Sequence, residues 1–146
     1  MTDIERMLAE HAIARLITGY VGINDANRWD ELADTYAEHG RMNRPTAPDD
    51  WVEGREAIRA SFKARPPRAA RHIVANIVVD VAEDGLSATA SSQILLFVGT
   101  AAPDGGIPAQ SPKPPMVGSY ADRLVCEGGR WLFVERRGSL DFTPPA

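Results

Sequence analysis

The chain has 146 residues with 44% hydrophobic and 25% charged side chains, the balance of one ordinary globular domain, 1–146, large enough to fold around its own core without a disulfide or a metal. The net charge is -4 and the basic residues, such as Arg15, Arg28, Arg55 and Arg59, are scattered among acids; no continuous basic stripe is present to grip phosphates, so nucleic acid is not an expected partner. Cys126 is the only cysteine, which excludes an internal disulfide and paired-thiolate metal sites; no stretch approaches the roughly 18 to 20 apolar residues of a membrane span, so a cytoplasmic protein is expected.

Taken in chain order, Ile4, Leu8, Ala12, Leu16 and Tyr20 recur every four residues, which predicts an amphipathic helix from Asp3 to about Gly22. The segment 23–27 is a turn, with Asn27 as the N-cap of a second helix whose Trp29, Leu32, Ala33 and Tyr36 share an apolar face and which His39-Gly40 ends. Arg41, Met42 and Asn43 form a short strand and 45–50 a loop. A third helix over 54–64 puts Ile58 and Phe62 on one stripe before Pro66-Pro67 stops it. The short basic cluster that follows, Arg65-Pro66-Pro67-Arg68 through Arg71, reads as a solvated connection, with an anionic ligand as the alternative.

The period then changes to two. Residues 72–82 form a strand with Ile73, Ala75, Ile77, Val79 and Val81 on one strongly apolar face, followed by strands over 86–99, 116–127 and 130–141. Gly128-Gly129 makes a tight hairpin between the last two, so the sheet is expected to be antiparallel. Helices first and long hairpins afterwards is an α+β order. The segment from Thr100 to Pro115, rich in Pro, Gly and Ala, reads as a flap or an oligomer contact. The broad sheet face offers Leu95, Phe97, Val125 and Phe133 for self-association, as a homodimer or homotrimer.

Three side chains stand out chemically. His72 begins the first long strand, where an imidazole could point into whatever the sheet curves around and act as a general base; a hydrogen-bonded rim histidine fits the same position. Asp25, at the end of the first helix, suits either an ordinary turn or a carboxylate orienting an imidazole. Tyr20 can donate its phenol to a substrate oxygen or simply fill the core. His11, His39 and His72 fall on separate elements without paired-ligand spacing, so no metal is expected.

The segments Tyr20-Val21-Gly22-Ile23-Asn24-Asp25, Trp29-Asp30-Glu31-Leu32, Gly54-Arg55-Glu56-Ala57-Ile58, Arg71-His72 and Gly129-Arg130-Trp131, in that order and spacing, resemble the SnoaL-like branch of the nuclear transport factor 2-like (NTF2-like) superfamily. The resemblance covers about Ile4 to Phe142. It implies a cone-shaped fold: three N-terminal helices packed on a strongly curved, mostly antiparallel sheet that encloses a hydrophobic cavity. Enzymes that look like this include scytalone dehydratase, bile-acid dehydratases, a dehydrochlorinase and polyketide cyclases, several of which use an Asp–His pair for proton abstraction. Asp25 and His72 match that pair, and Tyr20 and Arg136 match positions that stabilise developing charge, although a surface role beside Glu135 and Arg137 fits Arg136 equally well.

By the same carry-over the cavity walls are Trp29, Tyr36, Arg41, Phe62, Ser92, Ile94, Leu96 and Tyr120. Leu96 stands where the bile-acid dehydratase pattern has an acid, and Leu140 close to where it has an Arg. Asp122 and Arg123 fall on opposite faces of their strand and cannot both line the cavity without a bulge. Two functions fit the resemblance. The first is a lyase or isomerase that acts without a cofactor on a small hydrophobic or polycyclic substrate. The second is a non-catalytic ligand-binding or assembly module, similar to the small subunit of ring-hydroxylating dioxygenases.

Overall fold

The computed structural model describes residues 1–145. Helix α1 runs Asp3–Asp25, α2 Trp29–Ala33 and α3 Arg55–Lys63. The strands are β1 Tyr36–Arg44, β2 Ala47–Glu53, β3 Ala69–Val81, β4 Ser87–Thr100, β5 Ala109–Gln110, β6 Met116–Glu127 and β7 Arg130–Leu140. They form one curved sheet in the order β2-β1-β7-β6-β4-β3, with β5 paired to β4. Every pairing is antiparallel except β1 with β7, which is parallel.

Helix α1 starts at a capping box, in which the Thr2 hydroxyl accepts from the Glu5 amide while the Glu5 carboxylate accepts from the Thr2 amide. Its buried stripe, Ile13, Ile17, Tyr20, Val21 and Asn24, packs toward the concave face of the sheet. Arg6 ties its first turn to the end of β3, donating to the Val81 carbonyl at 2.6 Å and pairing with Glu83 at 2.6 Å. The core between helices and sheet contains Ile13, Ile17, Leu32, Tyr36, Ile58, Leu124 and Phe133.

Three local expectations are corrected. The second helix ends at Ala33, and Tyr36 already belongs to β1. The Thr35 hydroxyl donates to the Leu32 carbonyl at 2.6 Å, and the Phe133 amide donates to the Thr35 carbonyl, which draws the chain onto β7. Leu32, Ala33 and Tyr36 are all buried, so their spacing registered the core while misreporting the element. Asn27 does not cap α2: it takes a left-handed φ of 57°, and the N-cap is Arg28, which makes no side-chain capping bond. The expected loop over 45–50 is a tight turn leading into β2.

An irregularity in β3 decides what faces inward. Between Ala75 and Val78, Asn76 and Ile77 of β3 oppose the single residue Ser92 of β4, a β-bulge with Asn76 at a left-handed φ of 53°. Before the bulge His72 and Val74 turn inward; after it Ile77, Val79 and Val81 do. Ile73 and Ala75, expected on the same face as Val81, are exposed. A second extra residue, Val134, sits where Leu124 and Arg123 of β6 pair with Phe133 and Glu135 of β7, so Phe133 and Arg136 are both buried.

Phe133 is therefore core and is not available for self-association, whereas Leu95, Phe97 and Val125 are half-buried. Gly138 lies under the β1–β2 turn: a Cβ there would sit 2.7 Å from Pro45 Cδ and 2.8 Å from its backbone nitrogen. Gly138→Ala should accordingly destabilise the fold by about 1–3 kcal/mol, an overpacking cost, as a shift of the urea midpoint. Among the described residues, no helix is long and apolar enough to cross a membrane.

Candidate active site

The concave face of the sheet together with α1 and α3 bounds a cavity of about 420 Å³, within the range of about 300–1,000 Å³ usual for small-molecule sites. Its depth is set by Tyr20 from α1, Tyr120 from β6 and Arg136 from β7, all buried. Ile94 and Leu96 of β4, Met42 of β1 and Phe62 of α3 supply apolar wall, and His72 of β3 and Asn24 of α1 supply polar wall. Arg44, Arg65, Arg68, Pro45, Met116 and Leu140 also line it, with Arg68 exposed at the rim.

The end of α1 and the start of β3 meet at Asp25 and His72. One carboxylate oxygen of Asp25 lies 2.6 Å from His72 Nδ1 and the other accepts the His72 backbone N–H at 2.8 Å. The carboxylate thus fixes both the ring and the strand that carries it. An ionised carboxylate can only accept, so Nδ1 holds the proton and Nε2 keeps its lone pair. Asp25 is itself absent from the cavity lining and stands behind His72.

Burial pushes the His72 pKa below its ordinary 6.5, and the positive charges of Arg68 and Arg65 push the same way; the hydrogen bond and charge of Asp25 oppose them without prevailing. The imidazole is consequently neutral at pH 7. The ring is held by a carboxylate on Nδ1 and lines the cavity.

At the bottom of the cavity Arg136 is 1% exposed and paired with Asp122, Nε to Oδ1 at 3.0 Å and Nη2 to Oδ2 at 3.3 Å. Its guanidinium carbon is 4.0 Å from the centre of the Tyr120 ring, 4.3 Å from Tyr20 and 4.6 Å from Phe133, an arrangement in which three π faces offset the lost hydration of the cation. Burial is the largest influence and acts to lower the Arg136 pKa, but the charge of Asp122 together with the phenol groups of Tyr120, Tyr20 and Tyr36 raises it on balance, and the group stays charged. Burial pushes Asp122 upward against the pull of Arg136. Arg136 Nη1 has no partner among the described residues.

The Tyr20 hydroxyl lies 2.8 Å from that of Tyr36. Burial raises Tyr20 to about 12 and Tyr36 well above the usual phenol value, so both are neutral donors at pH 7.

Of the residues expected at the site, Tyr20, Phe62, His72, Ile94, Leu96, Tyr120 and Arg136 line the cavity. Trp29 does not, because it stacks on the far side of Phe62, ring centres 5.3 Å apart. Tyr36 is fully buried behind Tyr20. Arg41 is on the opposite face of β1, one residue out of phase with Met42, where it pairs with Glu135 at 2.6 Å and covers the Trp51 ring at 4.1 Å. Ser92 is wholly buried and its hydroxyl has no partner among the described residues, but it is outside the lining.

The sequence placed Asp122 and Arg123 on opposite faces of β6 without choosing between them, and the structure buries Asp122 as the partner of Arg136 and leaves Arg123 exposed. Sequence reasoning missed the pocket-facing role of Arg44, Arg65 and Arg68. Among the described residues no group of three His, Cys, Asp or Glu side chains could hold a metal ion.

The whole fold recurs in solved structures. A Novosphingobium aromaticivorans protein assigned as a scytalone dehydratase superposes with a TM-score of 0.79 at 21% identity, over 99% of this chain and 93% of that one. ActVI-ORFA of Streptomyces coelicolor gives 0.70 at 21% identity, over 90% and 96%. A Catenulispora acidiphila protein in complex with S-DNPA gives 0.68 at 25% identity, over 90% and 92%. No protein of curated function matches the sequence. The SnoaL-like domain profile matches residues 5–137, and with that match and the cone of helices on a curved sheet, this chain belongs to the SnoaL-like family.

Proposed function

We propose that the protein is a lyase or isomerase of the dehydratase, dehydrohalogenase or cyclase type, acting on a small hydrophobic or polycyclic carbonyl compound. One observation carries the reading: a neutral imidazole lines an enclosed chamber with its Nδ1 held by a buried carboxylate at 2.6 Å. That is the arrangement a general base needs. The assignment in the Novosphingobium protein and the small ligand in the Catenulispora protein are consistent with this chemistry.

In the proposed step His72 Nε2 takes the proton from the carbon next to a carbonyl, and the C–H electrons form an enolate. Arg136, through its spare Nη1, and the Tyr20 phenol stabilise the oxygen that gains charge. Asp25 stabilises the imidazolium. In a dehydration the enolate then collapses, expelling the hydroxyl from the adjacent carbon, and the imidazolium returns its proton so that water leaves. Proton transfer and elimination require no redox group, so the reading calls for no cofactor.

A non-catalytic ligand-binding or assembly module of the same fold would be better served by an obstructed or wholly apolar chamber with His72 spent on a backbone carbonyl. Neither feature is present.

The test is a pH profile. Screening bicyclic β-hydroxy carbonyl compounds for loss of water identifies a substrate, and kcat/KM is then followed from pH 4 to 9. The base must be neutral to work, so the rate should fall on the acid side with an apparent pKa below 6.5, the direction set by burial of His72. A profile flat through this range, or one unchanged in His72→Asn, would remove His72 from the mechanism.

A further inference from the structure

Three cations gather on one side of the cavity mouth without counter-charges. Arg44 and Arg65 flank the Phe62 ring, their guanidinium carbons 5.0 Å and 5.4 Å from its centre. Arg68 completes the group from the segment that joins α3 to β3, and all three line the cavity. Arg44 is oriented by Ser61, donating to its hydroxyl at 2.9 Å and its carbonyl at 3.4 Å. No carboxylate of the described residues lies within 4.0 Å of the three, whereas Arg6, Arg41, Arg59 and Arg136 each have one.

The two carboxylates nearest the cavity are already committed. Asp25 bonds to His72, with Arg71 4.0 Å away on the outside, and Asp122 bonds to Arg136. Mutual repulsion is felt: desolvation first, then the charges of Arg68 and Arg44, bring the Arg65 pKa down to about 10, still protonated at pH 7. Placing like charges together beside an apolar chamber costs free energy, which the Phe62 ring, the Ser61 hydroxyl and the charge of Asp25 acting on Arg68 return only in part. An anionic ligand would return the rest through charge-assisted, forked hydrogen bonds.

We infer that the substrate carries a carboxylate, held at the cavity mouth by Arg44, Arg65 and Arg68, with its apolar ring system inside the chamber against Phe62, Ile94 and Leu96. The assignment rests on the cavity being the substrate site, and it narrows the substrate class to acidic polycyclic carbonyl compounds. It gives the three arginines a task distinct from that of Arg136, since they seat a charge that exists before reaction. The carboxylate also fixes which carbon of the ring system reaches His72.

The test uses a matched pair of probes, 1-naphthylacetate and 1-naphthylacetamide, which share a ring system and differ in charge. Affinities are measured by calorimetry on the intact protein. The acid should bind roughly tenfold or more tightly than the amide, and the advantage should shrink as salt rises from 20 to 300 mM. In Arg65→Gln/Arg68→Gln, and separately in Arg44→Gln, the ratio of acid to amide affinity should fall toward one, with circular dichroism verifying the fold.

Equal affinities in the parent, no detectable binding of the acid at millimolar concentration, or an acid preference retained in both variants would overturn the proposal. The comparison between probes needs only the parent protein, so it stands even if a variant fails to fold. Because binding is read and not turnover, a negative result here leaves the His72 pH profile free to succeed, and the reverse also holds.

Discussion

His72→Asn is expected to lower kcat by about 10²- to 10⁴-fold, the usual contribution of a positioned general base, while KM changes only a few-fold because the rest of the cavity wall is kept. Asp25→Asn should lose a comparable amount for a different reason. The amide NH₂ would donate where the carboxylate now accepts, facing Nδ1 at the position that is 2.6 Å from Oδ1. That reverses the tautomer and puts the proton on Nε2, the nitrogen proposed to receive one. Steady-state kinetics on the same substrate checks both, and an Asp25→Asn variant retaining more than half the parent kcat would contradict the role given to the pair.

The second large effect is on stability. Asp122 and Arg136 are 2% and 1% exposed, so removing one charge strands the other away from water. Asp122→Asn is expected to cost about 3–5 kcal/mol and to lower Tm by roughly 10 °C for a chain of this size. Replacing both, as Asp122→Leu with Arg136→Met, removes the stranded charge and should recover most of the loss, since buried ion pairs are often no better than apolar packing of similar volume. The double variant should nevertheless be slow, because the cation proposed to meet the enolate has gone. Thermal unfolding and kcat together separate the two roles; a double variant as active as the parent would leave Arg136 purely structural.

His72 also links stability to pH. Its folded pKa is below the unfolded 6.5, so the unfolded chain binds the proton more readily, and the contribution is present above pH 6.5 and lost as pH falls through the folded value.

Helix α1 was legible as an element, but its buried face was not the expected one: Ile4, Leu8 and Ala12 are exposed, and the buried stripe contains Ile13, Ile17 and Tyr20, of which only Tyr20 was among the expected positions. The alternation of β6 was legible because it is uninterrupted, with Gly118, Tyr120, Asp122 and Leu124 on one strand face. The interruptions were not legible. His72 and Val81 have opposite parity, so a regular strand would bury only one of them, and it takes the bulge at Asn76 to bury both. The trace of it in the sequence is one Asn among β-branched residues, a residue that tolerates a left-handed backbone.

Likewise the three-four-seven spacing of Trp29, Leu32 and Tyr36 imitates a longer helix, because a turn of helix and the strand after it happen to face the same core. The Arg-Pro-Pro-Arg connection reads as a solvated loop, since nothing local reveals that the sheet curves round to meet it. Arg44, Arg65 and Arg68 converge only through tertiary structure, from a strand, a helix end and a loop. Asp25 and His72, 47 residues apart, were connected by family resemblance and not by any local pattern.

The central claim, that Asp25 holds His72 as a neutral base with its proton on Nδ1, can be measured without a substrate. Long-range ¹⁵N–¹H spectra of ¹⁵N-histidine-labelled protein, titrated from pH 4 to 9, report the tautomer and pKa of each of the three histidines. His72, identified by its absence in His72→Asn, should appear as the Nδ1–H tautomer with a pKa below 6.5, and should fall further in Asp25→Asn, since Asp25 is what now holds it up. An Nε2–H tautomer, or a pKa above 6.5 that Asp25→Asn leaves in place, would contradict it.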